Sequence, residues 1–228
     1  MTLHLTKDLT KQENKPLTTH PQPHFRASHE AHSIPEVIEG VVIGISTGGP
    51  VALQVLLSQI STSVKVPIVI VQHMPLHFTE WLAERLNEVS RLKVKEAEHG
   101  EVLKAGTVYL APGGRHIELK RAKQGGVKVE LNDNPPVRSC RPCVDVLFES
   151  ASRSFRNGVL AVVMTGMGRD GYEGLKTLKQ KIPTYCLTQD AKSCVVYGMP
   201  KAIAEAQLSD ESLPLESLAL RINELTSR

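Results

Sequence analysis

The chain has 228 residues, 41% hydrophobic and 22% charged, a composition ordinary for a globular protein and long enough for one substantial core plus a tail. A formal net charge of +3, with no dense Lys/Arg run interleaved with aromatics, argues against a nucleic-acid partner. No apolar run approaches the ~18 residues of a membrane span, and the first residues lack a signal-peptide core. The four cysteines, Cys140, Cys143, Cys186 and Cys194, do not resemble a secreted disulfide framework, so a cytoplasmic protein without membrane insertion is expected.

Residues 1–37 are polar, with Pro16, Pro21, Pro23 and Pro35 and hardly any apolar periodicity, which predicts a disordered tail before a domain over 38–228. His4, His20, His24, His29 and His32 match no compact ligand spacing and read as surface histidines. Order should begin near Ile38. Val41 to Ile45 is short, β-branched and bounded by turn residues, as a strand buried on both faces would be. Ser46-Thr47-Gly48-Gly49-Pro50 then forms a tight turn into a helix with apolar residues from Val51 to Ile60. At that turn Ser46 has three readings: nucleophile beside backbone N–H groups, part of an anion site, or plain turn residue. A dinucleotide site is disfavoured, because the pattern is Gly-x-Ser-x-Gly-Gly and Gln72-His73 stands where an acidic ribose ligand is needed.

Val66 to Val71 predicts a second parallel strand that delivers His73 to the same sheet edge, although a lone histidine there is more often structural. Thr79 is expected to cap a helix carrying Trp81, Leu82, Leu86 and Val89, followed by a strand over Leu92 to Ala97. Thr107–Leu110, His116–Lys120 and Val127–Leu131, joined by glycine turns, read as an antiparallel excursion inserted on the main sheet. Cys140-Arg141-Pro142-Cys143 is a single Cys-x-x-Cys pair, weak as a metal or redox signal. A helix from Val144 leads to a strand over Val159 to Met164, which ends in Thr165-Gly166-Met167-Gly168-Arg169-Asp170-Gly171 and brings Asp170 to the edge. A helix from Tyr172, a strand at Thr184–Thr188, a loop to Pro200, a helix over Lys201–Ala206 and a last helix after Pro214 complete the pattern. The fold class expected is α/β, a doubly wound, mainly parallel, Rossmann-like sheet with an antiparallel hairpin insertion.

Three strand ends thus supply a serine, a histidine and an aspartate. If they meet, the His73 imidazole can take the Ser46 proton, Asp170 can fix its tautomer, and N–H groups near Thr47 and Met167 can hold an oxyanion. Spacing alone leaves that meeting open.

The blocks Ile43-Gly44-Ile45-Ser46-Thr47-Gly48-Gly49, Gln72-His73-Met74-Pro75, Ala111-Pro112-Gly113, Val144-Asp145-Val146-Leu147-Phe148, Thr165 to Gly171 and Ser193 to Pro200 carry a family resemblance. From about Val41 to Ala206 the chain resembles the catalytic domain of bacterial chemotaxis protein-glutamate methylesterases. The resemblance implies a triad of Ser46, His73 and Asp170, with Thr47 and Met167 near the oxyanion and no metal or cofactor. It implies hydrolysis of glutamate γ-methyl esters on the cytoplasmic helical region of methyl-accepting chemotaxis receptors, with deamidation of receptor glutamines in many members. Rival readings are a general small-molecule carboxylesterase and a non-catalytic adaptor that keeps the fold. Family members usually begin with a phosphorylatable receiver domain. The polar stretch before Ile38 is too short for one, so activity is expected to be constitutive or set by a separate regulatory protein. Cys140 and Cys143 stand where polar residues are expected around Arg141-Pro142, and Lys181-Ile182 replaces a glycine-containing turn.

Overall fold

The computed structural model describes residues 33–227; of the tail expected over 1–37, residues 1–32 lie outside the described residues. Its frame is a run of strands whose residues alternate between two buried faces. β1 (Gly40–Ile45) pairs in parallel with β2 (Ile68–Gln72) on one side and β7 (Val159–Val163) on the other. Beyond β2 lie β4 (Thr107–Leu110) and β3 (Lys93–Glu96), and beyond β7 lie β8 (Thr184–Gln189) and β9 (Glu211–Leu213). Among the described residues this gives one seven-stranded, all-parallel sheet in the order β3-β4-β2-β1-β7-β8-β9.

Period-two geometry sends Val41, Ile43 and Ile45 to one face and Val42 to the other, and the same split divides Ile68 and Ile70 from Val69 and Val71. The first face is covered by α1 (Gly49–Gln59), α2 (Phe78–Val89) and α6 (Leu215–Thr226), through Leu53, Leu56, Leu82, Leu86, Leu218 and Ile222. On the second face lie α3 (Val144–Ser154), α4 (Tyr172–Lys181) and α5 (Met199–Glu205). Burial on both faces explains why the central strands read as unbroken apolar runs. Ahead of β1, Ile34 packs on the first core and Pro35 is buried, with its ring against Gly158.

The excursion read as three antiparallel strands resolves differently. Its first member, β4, belongs to the parallel sheet between β2 and β3. Only β5 (His116–Arg121) and β6 (Val127–Asn132) pair antiparallel, as a separate hairpin whose Ile117, Leu119, Val129 and Leu131 join the second core. α3 anchors it: the Leu119 N–H donates to Ser150 Oγ at 2.9 Å, and Ser154 Oγ donates to the Leu119 carbonyl at 2.6 Å. Thr79 is not the cap of α2. His77 holds that position with φ 72°, while the buried Thr79 hydroxyl accepts the Gly113 N–H at 2.8 Å and donates to Glu96. The short edge strand β9 carries no apolar signature and has no counterpart in the predicted elements.

Candidate active site

The sheet order turns away in both directions from β1: the chain leaves β1 for β2 on one side, and later returns to place β7 on the other. Such a switch point opens a crevice at the carboxyl ends of the strands, where α/β folds bind ligands. Ser46 follows β1, His73 follows β2 and the Thr165-to-Gly171 loop follows β7, so all three predicted side chains arrive at this edge.

Their local geometry comes from the backbone. After β1 the chain turns at Gly48, whose φ of 82° suits a residue without Cβ, and α1 begins at once with Pro50 in its first turn. The Ser46 N–H donates to the Thr165 carbonyl at 2.9 Å, which ties the ends of β1 and β7 together, and Thr165 Oγ1 donates to the Thr47 carbonyl at 2.9 Å. The buried Gln72 amide donates to the Ser46 and His73 carbonyls at 3.0 and 3.1 Å, holding the β1 and β2 exits side by side. Gly166 lies so near that a Cβ built on it would stand 2.8 Å from the Ser46 Cβ.

His73 and Asp170 meet, Nε2 to Oδ2, at 2.7 Å. Asp170 is buried and accepts four further hydrogen bonds: from the Val144 N–H at 2.7 Å, the Asp145 N–H at 2.9 Å, the Gly171 N–H at 2.9 Å and the Cys143 thiol at 3.0 Å. Burial alone would raise its pKa. The bonds from His73, Val144, Cys143 and Asp145 outweigh that and hold the carboxyl below its ordinary range, so it is ionised near neutrality. An ionised acceptor requires the proton on His73 Nε2, which leaves Nδ1 with the free lone pair. Asp145 is a second buried carboxyl. It accepts the Gly174 N–H at 2.8 Å and Arg138 Nε at 3.1 Å, yet burial and the neighbouring Asp170 charge keep its pKa raised.

Ser46 itself is adjacent but unjoined: among the described residues its hydroxyl makes no hydrogen bond. Thr47 and Met167 are exposed, Met167 at 76%, and among the described residues neither N–H donates to a protein acceptor. Both are therefore open to an incoming anion. A cleft of about 720 Å³ lies against the hairpin, lined by Val102, Lys120 and Glu130 among others, with none of the predicted site residues in its wall.

Several positioning groups were not anticipated. The donors to Asp170 from Val144 and Asp145 are backbone amides, which leave no side-chain signature. Cys143 read only as half of a weak Cys-x-x-Cys pair. The Ser193-to-Pro200 loop grips Gly166: Gly166 donates to the Val196 carbonyl at 3.0 Å and accepts from Gly198 and Met199 at 3.0 and 2.9 Å.

Comparison with known proteins gives a consistent answer. The family model described as CheB methylesterase matches residues 41–222. A protein-glutamate methylesterase/protein-glutamine glutaminase 2 from Photobacterium profundum is 46% identical over 202 residues, covering 89% of this chain and 49% of the relative. A protein-glutamate methylesterase/protein-glutamine glutaminase from Pseudoalteromonas translucida is 49% identical over 182 residues, covering 80% and 46%. This chain thus spans about half the length of these curated relatives. The crystal structure of the Thermotoga maritima CheB methylesterase catalytic domain superposes with a TM-score of 0.78 at 40% identity, covering 83% of this chain and 99% of that one. With the matched segment spanning the whole sheet and every strand end of the crevice, the chain belongs to the CheB methylesterase family.

Proposed function

We propose that the chain hydrolyses glutamate γ-methyl esters on the cytoplasmic helical region of chemotaxis receptors, releasing methanol, and deamidates receptor glutamines by the same route. The observation that carries the reading is the 2.7 Å His73–Asp170 pair standing beside the Ser46 turn. Ser46 Oγ attacks the γ-carbonyl as His73 Nδ1 takes its proton, and Asp170 stabilises the imidazolium through Nε2. The Thr47 and Met167 N–H groups receive the oxyanion. Collapse of the tetrahedral species breaks the bond to methanol, or to ammonia from an amide, with the His73 proton passing to the leaving group. Water, deprotonated by His73, then attacks the acyl-serine and regenerates the hydroxyl. The Ser46–His73 hydrogen bond forms on substrate binding, as catalytic contacts often tighten only in the complex.

The exposed side chains Leu76, Phe78 and Trp81 after β2, Met167 after β7, Val195 after β8, and Val51 in α1 belong to segments that leave this edge of the sheet. They suit the surface of a folded protein substrate better than an enclosed small ester. Purified chain added to membranes with methylated receptors should release methanol, and Ser46→Ala should lower the rate by about 10⁴-fold or more. Methanol release unchanged in Ser46→Ala sinks the triad. Faster turnover of a generic aryl ester than of methylated receptor sinks the substrate.

A further inference from the structure

The free lone pair of His73, at Nδ1, points toward a thiol: Cys140 Sγ lies 4.0 Å away. The ligating atoms of His73, Cys140 and Asp170 all lie within 4.8 Å of one another. A zinc ion takes nitrogen at ~2.0–2.1 Å and sulfur at ~2.3 Å, so one ion between the two atoms spans separations up to ~4.4 Å. The observed separation falls inside that reach. The other side of the ring is already arranged as metal sites require, because Nε2–H is donated to a carboxylate that fixes the tautomer and raises the basicity of Nδ1. The His73 side chain keeps 16% exposure and Cys140 is only half-buried, so an ion can enter from solvent.

The neighbouring trio of Cys143, Asp145 and Asp170 is equally close-set, but its atoms are committed. The Cys143 thiol donates to Asp170, and Asp145 holds Gly174 and Arg138. Cys140 has no such commitment beyond His73 among the described residues. Burial, with the charges of Asp170 and Asp145, raises the Cys140 pKa, so without metal the thiol is protonated near neutrality.

We infer that His73 Nδ1 and Cys140 Sγ form a binding site for a zinc-class divalent cation, with Asp170 as the outer partner of the histidine and water in the remaining positions, and that occupation shuts the enzyme off. The ion replaces the Cys140 proton, which passes to solvent, and it occupies the lone pair that must accept the Ser46 proton. No redox step is involved. Softness of the thiolate–imidazole pair selects zinc or cobalt over magnesium or calcium. The inhibitory consequence rests on the methylesterase reading of the site; binding of the ion does not.

The test separates the two. Cobalt(II) titrated into the full chain should produce a thiolate-to-metal charge-transfer band, absent in Cys140→Ala and retained in Cys143→Ala. Because histidines alone give no such band, the five in residues 1–32 do not confuse this readout. Zinc should displace the cobalt with loss of the band, and Asp170→Asn should weaken zinc by about 10–100-fold, as loss of an outer partner does. In the activity arm, saturating zinc should slow methanol release by about tenfold or more, reversibly with chelator, and in Cys140→Ala the rates with zinc and with chelator should match. A charge-transfer band unchanged in Cys140→Ala overturns the site. A normal band with undiminished methanol release at saturating zinc overturns the inhibition. A normal cobalt band from a chain whose metal-free form never releases methanol leaves the site standing and removes the methylesterase reading.

Discussion

Asp170 sits between the starts of two helices, and this decides how it behaves. Val144 and Asp145 are the first residues of α3, Gly171 caps α4, and their unsatisfied N–H groups converge on one carboxylate. The Cys143 thiol adds a fourth donor in a buried position, so its removal should be felt through Asp170. Cys143→Ala should cost about 1–2 kcal/mol in urea unfolding and lower kcat more than it raises KM, while Cys143→Ser, which keeps a donor, should restore most of both. The depressed Asp170 pKa carries a definite sign. The unfolded carboxyl, near ~3.9, binds its proton at higher pH than the folded one does, so the stabilisation is complete above that value and disappears as pH falls through the lower folded value. Urea midpoints of wild type and Asp170→Asn should therefore converge below about pH 4, and a carboxyl NMR titration should find Asp170 ionised where exposed aspartates are already protonated. That the three side chains stand at strand ends was legible in the sequence. The cradle around Asp170 was not, since amides look alike in every residue.

At the scale of elements, legibility followed burial. β1, β2, β7 and β8 are covered on both faces and their apolar runs identify them, whereas β9 is three partly exposed residues whose place depends on pairing with β8. β4 reads as part of the excursion because a four-residue run followed by Pro112-Gly113-Gly114 looks like a hairpin arm, whereas it pairs in parallel with the preceding strand β3 and with the more distant β2. Thr79 has the composition of a cap, but its hydroxyl is drawn to Gly113 and Glu96 instead, a tertiary contact overriding local preference. Helix position matters for the site at Gly44. A Cβ built there would lie 2.3 Å from Val144 Cγ1, so β1 and the start of α3 touch only because this residue has no side chain. Gly44→Ala should cost about 1–3 kcal/mol and, by moving the Val144 amide off Asp170, reduce kcat as well. Combining it with Val144→Ala, which removes the colliding methyls, should recover part of both losses, and strict additivity in the double mutant would refute the contact as the cause.

For the molecule as a whole, the sheet is one wall shared by two cores, and the crevice lies where the chain changes direction at β1. Strand order could not be read from the sequence, because equally apolar strands give no clue to their neighbours. What fixes the β8–β9 edge is partly ionic. Lys179, on α4, reaches Asp210 at 2.6 Å with both side chains under 10% exposed, and Asp210 also accepts the Cys186 N–H of β8 at 2.7 Å. Exposed pairs elsewhere, such as Arg85–Glu88 on α2, contribute little because water screens them. The buried pair differs in consequence: Lys179→Met takes a close cation away from a buried carboxylate, and breaking a buried pair from one side should cost about 3–5 kcal/mol. The pair sits beside β8 rather than on the His73 edge, so kcat per folded molecule should hold while the urea midpoint falls. Adding Asp210→Asn to Lys179→Met removes the other charge of the pair while leaving an acceptor for the Cys186 amide, and should return part of the loss. If the double variant is no more stable than Lys179→Met, the edge is held by packing of α4 and not by the pair.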